Sequence, residues 1–128
     1  MAFEVTPEAM AAYRATARRR WAQEQQALAR RQERAWEVAR RAAALLRAQF
    51  GATRVVAFGS LIHEGCFTSW SDVDIAAWGL RPEDTFRAMG AVMDLGMDLG
   101  PGIEVNLVDV GACRPTLLAV IEQEGVEL

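Results

Sequence analysis

The sequence has no lysine: every one of its 14 basic side chains is an arginine. Cysteine is scarce as well, with only Cys66 and Cys113, far apart in the chain, and His63 is the single histidine. That supply argues against a disulfide-built scaffold and against the Cys/His spacings of structural zinc sites. No apolar run reaches the ~18 residues that a membrane-spanning helix needs. The opening Met1-Ala2-Phe3-Glu4-Val5-Thr6-Pro7 lacks the basic start and apolar stretch of a secretory signal. A cytoplasmic protein with no membrane partner is the expectation. Between Pro7 and Gly51 there is neither glycine nor proline, so nothing in that stretch ends a helix.

What the chain does have is enough apolar material for a core. A hydrophobic fraction of 52% with 24% charged residues in 128 positions suits one folded domain and excludes global disorder. The net charge of −3 conceals an asymmetry: residues 1–54 carry 11 arginines against 5 acids, residues 55–128 carry 3 against 12. The two halves differ in role, or one docks on an oppositely charged surface.

Thr6-Pro7-Glu8 is a helix start, with a capping hydroxyl, a proline in the first turn and an acid at the positive end of the dipole. A continuous helix to Gly51 would extend about 65 Å, further than a domain of this mass covers. Its second half is amphipathic, with Ala35, Trp36, Ala39, Ala43, Leu46 and Phe50 at three- and four-residue steps. Its first half carries only a thin stripe of Met10, Tyr13, Ala17, Trp21 and Leu28 among arginines. Arg18-Arg19-Arg20 and Arg30-Arg31 read either as a solvated face or as a surface for an acidic partner or nucleic acid. The stripe needs cover, and a homo-oligomer formed through the N-terminal helix is the commonest way to supply it. A break near Gln25-Gln26 is the other way to shorten the helix.

After Gly51 the pattern shortens. Arg54–Phe58 is a buried strand ended by Gly59-Ser60, and Asp72–Trp78 is a second strand closed by Gly79. Pro82 opens a helix with Phe86, Met89, Met93 and Met97 on one face. Gly100-Pro101-Gly102 is a stop and turn, Ile103–Asp109 a third strand, and Pro115 starts a short last helix ended by Gly125. The order predicts an α/β fold: a small sheet with helices packed on it, plus a long N-terminal helix whose residues 1–33 form an arm outside the domain at 34–128.

The chemistry-bearing residues lie at the predicted strand ends. Asp72 and Asp74, two apart in a strand, project from one face. Like charges this close repel, and a divalent cation is the natural offset; a hard-oxygen pair suits Mg²⁺ together with substrate phosphates. Gly59-Ser60, at the end of a buried strand, makes a turn where backbone N–H groups and a hydroxyl can approach an anion.

Phe58-Gly59-Ser60 followed by Ser71-Asp72-Val73-Asp74-Ile75 resembles the signature of the DNA polymerase beta nucleotidyltransferase superfamily. Within it, the match is closest to the minimal nucleotidyltransferases, often encoded beside a HEPN-type partner. The resemblance spans roughly residues 34–128, including the Ile103-to-Val110 strand and the closing Ile121–Leu128 segment. It implies a mixed sheet with helices on one side, nucleotide phosphates at Gly59 and Ser60, and Mg²⁺ on Asp72 and Asp74 as the catalytic and metal-holding pair. The implied activity is transfer of a nucleoside monophosphate from a triphosphate, ATP above all, to a hydroxyl, with a toxin-like HEPN protein as the partner that accepts it.

The family's third carboxylate falls on the third strand, where this sequence reads Val105-Asn106-Leu107-Val108. Asn106 stands at that position. An amide is a weaker Mg²⁺ ligand and takes no proton from a hydroxyl. Glu104 lies on the same strand face two residues earlier, and Asp109 faces the other side. Instead of the basic residue expected soon after Gly-Ser, the chain has Leu61-Ile62-His63-Glu64. The alternative to an enzyme is therefore a degenerate, antitoxin-like binding module that neutralises or scaffolds a partner. Nucleic-acid binding through the arm is disfavoured by the acidic second half.

Overall fold

The computed structural model describes residues 4–99 and 102–128. Gly100 and Pro101 of the expected turn, and residues 1–3 of the arm, lie outside the described residues.

Helix α1 runs unbroken from Pro7 to Phe50. The Thr6 hydroxyl accepts from the Ala9 N–H at 3.1 Å, and Gly51 ends the helix in the left-handed region at φ 71°, its N–H returning to the Leu46 carbonyl. No break occurs at Gln25-Gln26. Ala35, Val38, Ala39, Ala42, Ala43 and Leu46 are fully buried; the alanines let the helix lie close to the sheet, and Trp36, Leu45 and Phe50 close its flanks.

The sheet has the order β3-β2-β1-β4. Strand β1 (Arg54–Phe58) pairs antiparallel with β2 (Val73–Trp78) and with β4 (Val126–Glu127), and β2 pairs parallel with β3 (Val105–Asp109). Period-two alternation sends Val55, Val73, Ile75, Ala77, Val105 and Leu107 into the main core under α1 and α2 (Thr85–Leu99). The other face is partly covered: Val56 and Ala76 pack on Ile121 of α3 (Pro115–Glu124), with Phe58, Trp78, Val108 and Leu117 around them. Helices thus sit on both faces, not on one side as the resemblance implied.

Two further expectations change. A 3₁₀ turn at Pro82–Asp84 precedes α2, and the residues α2 buries are Ala88, Val92 and Gly96, while Phe86, Met93 and Met97 point outward. At Gly96 the helix lies too close to β3 for a side chain: a Cβ there would stand 2.8 Å from Val105 Cγ2. Strand β4, unanticipated, closes the sheet edge, and the Leu128 N–H donates to the Val55 carbonyl at 3.0 Å. As expected, Asp109 is on the core side, accepting from Thr85 Oγ1 at 2.7 Å and from the Gly111 N–H at 3.0 Å. No helix among the described residues is long and apolar enough to cross a membrane.

Candidate functional site

The end of β1 and the starts of β2 and β3 meet at one end of the sheet. This follows from the pairing: Phe58 is opposite Asp74 across the antiparallel ladder, and Asp74 is opposite Asn106 across the parallel one. Asp72 sits just before β2, where the Val73 N–H donates to the Glu104 carbonyl at 2.8 Å and carries the ladder one step outward. Asp72, Asp74, Glu104 and Asn106 therefore share the sheet face that carries α3, opposite the main core.

Gly59 turns the chain sharply at φ 75°, a conformation that side chains strain. It also meets Asp74 at close range. A Cβ there would fall 2.5 Å from Asp74 Oδ2, so the absent side chain is what lets the turn and the carboxylate be neighbours. Ser60, half-buried, follows in the 3₁₀ turn Gly59–Leu61, which the buried Leu61 anchors in the core.

Asn106 Nδ2 reaches both acids, donating to Asp74 Oδ1 at 3.3 Å and to Asp72 Oδ2 at 3.5 Å. These are long, weak bonds. The amide offsets part of the repulsion between the two acids. Burial pushes the Asp74 carboxyl above its ordinary value, the Asn106 amide pulls it back, and the neighbouring Asp72 charge adds to the rise. An acid held this way favours a cation beside it. One oxygen of Asp72 and one of Asp74 lie within 3.5 Å of the same Asn106 nitrogen, and this donor set fits a hard divalent ion such as Mg²⁺. Among the described residues no group of three or more His, Cys, Asp and Glu is gathered for a metal; the pair and the Asn106 amide are what the site offers.

The remaining sequence candidates fall nearby or elsewhere. Glu104 is exposed and lies opposite Asp72 by register. His63 Nε2 lies 3.1 Å from Glu124 Oε2, which ties the loop after β1 to α3. In the loop before β2, Ser71 Oγ accepts from the Thr68 N–H at 2.9 Å and Thr68 Oγ1 from the Trp70 N–H at 3.2 Å, holding Trp70 outward two residues ahead of Asp72.

One residue of the site's support escaped the sequence reading. Arg31 belongs to a pair assigned to a solvated face or a partner surface. Instead its Nη2 donates to the Ser71 carbonyl at 3.1 Å and to the Gly102 carbonyl at 3.0 Å. Those carbonyls precede Asp72 and Glu104, so one guanidinium on α1 clamps the two loops that deliver the site strands. Its Nε is buried with no hydrogen-bond partner among the described residues. The signal was the helical phase: Arg31 lies four and seven residues before the buried Ala35 and Val38, whereas Arg30 lies off that face.

The chain matches no protein-family model and no curated protein.

Proposed function

We propose that the chain binds a nucleoside triphosphate, ATP above all, with Mg²⁺ at this end of the sheet, and transfers the nucleoside monophosphate to a hydroxyl. The observation that carries the reading is the approach of Gly59 to Asp74: the phosphate-type turn and the paired carboxylates belong to one spot although they are well separated in sequence. The Phe58-Gly59-Ser60 and Asp72-Val73-Asp74 resemblance supports the same assignment. Asp72 and Asp74 would hold Mg²⁺, which when bound neutralises phosphate charge and stabilises the displaced oxygen. Gly59 and Ser60 present a side-chain-free turn and a hydroxyl to the phosphates. In the transfer, the acceptor oxygen bonds to the α-phosphorus, the bond to the bridging oxygen of the β-phosphate breaks, and pyrophosphate leaves. The hydroxyl proton needs an acceptor; the Asn106 amide takes none, so the role falls to Glu104, two residues earlier on the same strand face, if its side chain reaches into the site. On the strength of the resemblance, a HEPN-type protein is the acceptor; the cytoplasmic setting rests on the sequence features above.

A second reading rests on Asn106. Its amide faces the two carboxylates, so the site has two acids, not three. A site of this composition serves a catalytically degenerate, antitoxin-like module that binds nucleotide or partner without transfer. Incubation with labelled triphosphates, Mg²⁺ and candidate acceptor proteins, followed by mass measurement of the acceptor, separates the two. A nucleotidyl mass increment supports transfer; nucleotide binding with no increment on any acceptor supports the second reading.

A further inference from the structure

Two apolar stripes lie on the outside of this chain. On the N-terminal half of α1, Tyr13 is 72% and Trp21 64% exposed. They stand two turns apart, with Ala17 between them, and bound a shallow notch with Ala12 and Thr16 that the charged Arg20 and Glu24 border. On α2, Phe86 is 86% and Met97 68% exposed, with Met93 alongside; exposed aromatic and methionine side chains in rows mark contact surfaces. Gly90 falls inside this second stripe, four residues after Phe86 and three before Met93.

Among the described residues nothing packs on Gly90. A glycine inside a helix costs about 1 kcal/mol relative to alanine. At Gly96 in the same helix the missing side chain makes room for Val105. At Gly90 a Cβ would meet nothing within 4 Å. The open space over it is available to a surface approaching from outside. The two stripes are complementary in relief: large–small–large as Tyr13-Ala17-Trp21 on one helix and as Phe86-Gly90-Met93 on the other. They are complementary in charge too. Arg14 and Arg18, one turn apart, flank the α1 stripe, and Asp94 and Asp98, one turn apart, flank the α2 stripe; the one cation on that flank of α2, Arg87, is paired with Asp84 at 2.7 Å.

We propose that the N-terminal half of α1 docks on the outer face of α2 of a second copy of this chain, with the Trp21 region seated at Gly90 and Arg14/Arg18 facing Asp94/Asp98. The exchange is reciprocal, so one two-fold interface covers both stripes of both copies. It names the surface that receives the arm, and it stands whether or not the sheet-end cluster binds a nucleotide.

Sedimentation equilibrium of the full chain over a concentration series tests this. Wild type is expected to be a dimer. Gly90→Gln, which removes a poor helix former and so leaves the protomer folded, is expected to weaken the dimer about tenfold or more, as is Trp21→Glu, the range of a central interface residue. Arg14→Glu/Arg18→Glu and Asp94→Arg/Asp98→Arg should each dissociate it, and all four changes in one chain should restore it. Circular dichroism confirms that each variant is helical. A monomeric wild type at every concentration overturns the proposal, and so does capture of a different protein by the arm in place of self-association. A dimer broken by Trp21→Glu but indifferent to Gly90→Gln and to the α2 charge reversal means that arm pairs with arm, which overturns it equally.

Discussion

Asn106 Nδ2 lies 3.3 Å from Asp74 Oδ1, each residue opposite the other where the edge strand β3 pairs parallel with the central strand β2. The pairing makes a site of mixed character. The amide moderates the repulsion between Asp74 and Asp72, and it withholds the charge that a third acid would bring to a transfer reaction.

Replacing Asn106 by Asp tests that trade. With no metal present, the variant is expected to be less stable by about 1–2 kcal/mol, since a donor to charged groups is lost and a third like charge added. Mg²⁺ should recover more stability in the variant than in wild type. If the chain transfers nucleotide slowly, Asn106→Asp should quicken it by about 10²-fold, the range of a positioned proton acceptor. Denaturant titrations with and without Mg²⁺, beside rates of acceptor labelling, check both parts. A brisk wild-type reaction abolished by Glu104→Gln would place the proton acceptor at Glu104.

The raised Asp74 carboxyl fixes the sign of a pH effect. Because its folded pKa lies above the unfolded value of 3.8, the folded state holds the proton more tightly. That contribution to stability is fully present below the unfolded pKa and is lost as pH rises through the folded one. At neutral pH without metal, ionised Asp74 is therefore a liability. Asp74→Asn is expected to be more stable than wild type at pH 7, with the difference shrinking as pH falls through the folded pKa. Melting curves of both proteins over a pH series, in chelator, measure it; a pH-independent difference would contradict the assignment.

Arg31 is predicted to matter to both fold and site. Arg31→Ala removes a charged donor from two carbonyls and should cost about 2–3 kcal/mol, read as a lower urea midpoint at unchanged slope. Lysine keeps the charge but not the planar fork, and should recover only part of the loss. Triphosphate affinity should fall in the alanine variant, because the loops it releases lead into Asp72 and Glu104.

The parts of this fold that were legible are those fixed by local chemistry. Thr6, Pro7 and Gly51 bound α1 where capping and left-handed geometry require them, and alternation located the three longer strands to within two residues. The spacing of Asp72 and Asp74, together with the Gly59 turn, indicated which residues gather, because strand geometry puts alternate residues on one face. What stayed hidden depends on tertiary distance. The methionines of α2 suggested a buried face, yet Ala88, Val92 and Gly96 are the residues it buries, and at Gly96 β3 lies too near for any side chain. Strand β4 has two residues, Val126 and Glu127, too few to show a period. The long-range reach of Arg31 to Ser71 and Gly102 leaves no trace in either loop's sequence.

The most direct test of the account is calorimetric titration of the full chain with ATP in Mg²⁺. Wild type should bind, and Asp72→Asn and Asp74→Asn, each folded by circular dichroism, should lose at least tenfold in affinity, as should wild type in chelator, since a partly occupied or empty metal position leaves triphosphate charge unopposed. Equal affinity in wild type and both variants, or no binding to wild type by any nucleoside triphosphate, would contradict the central claim that this end of the sheet is a metal–nucleotide site.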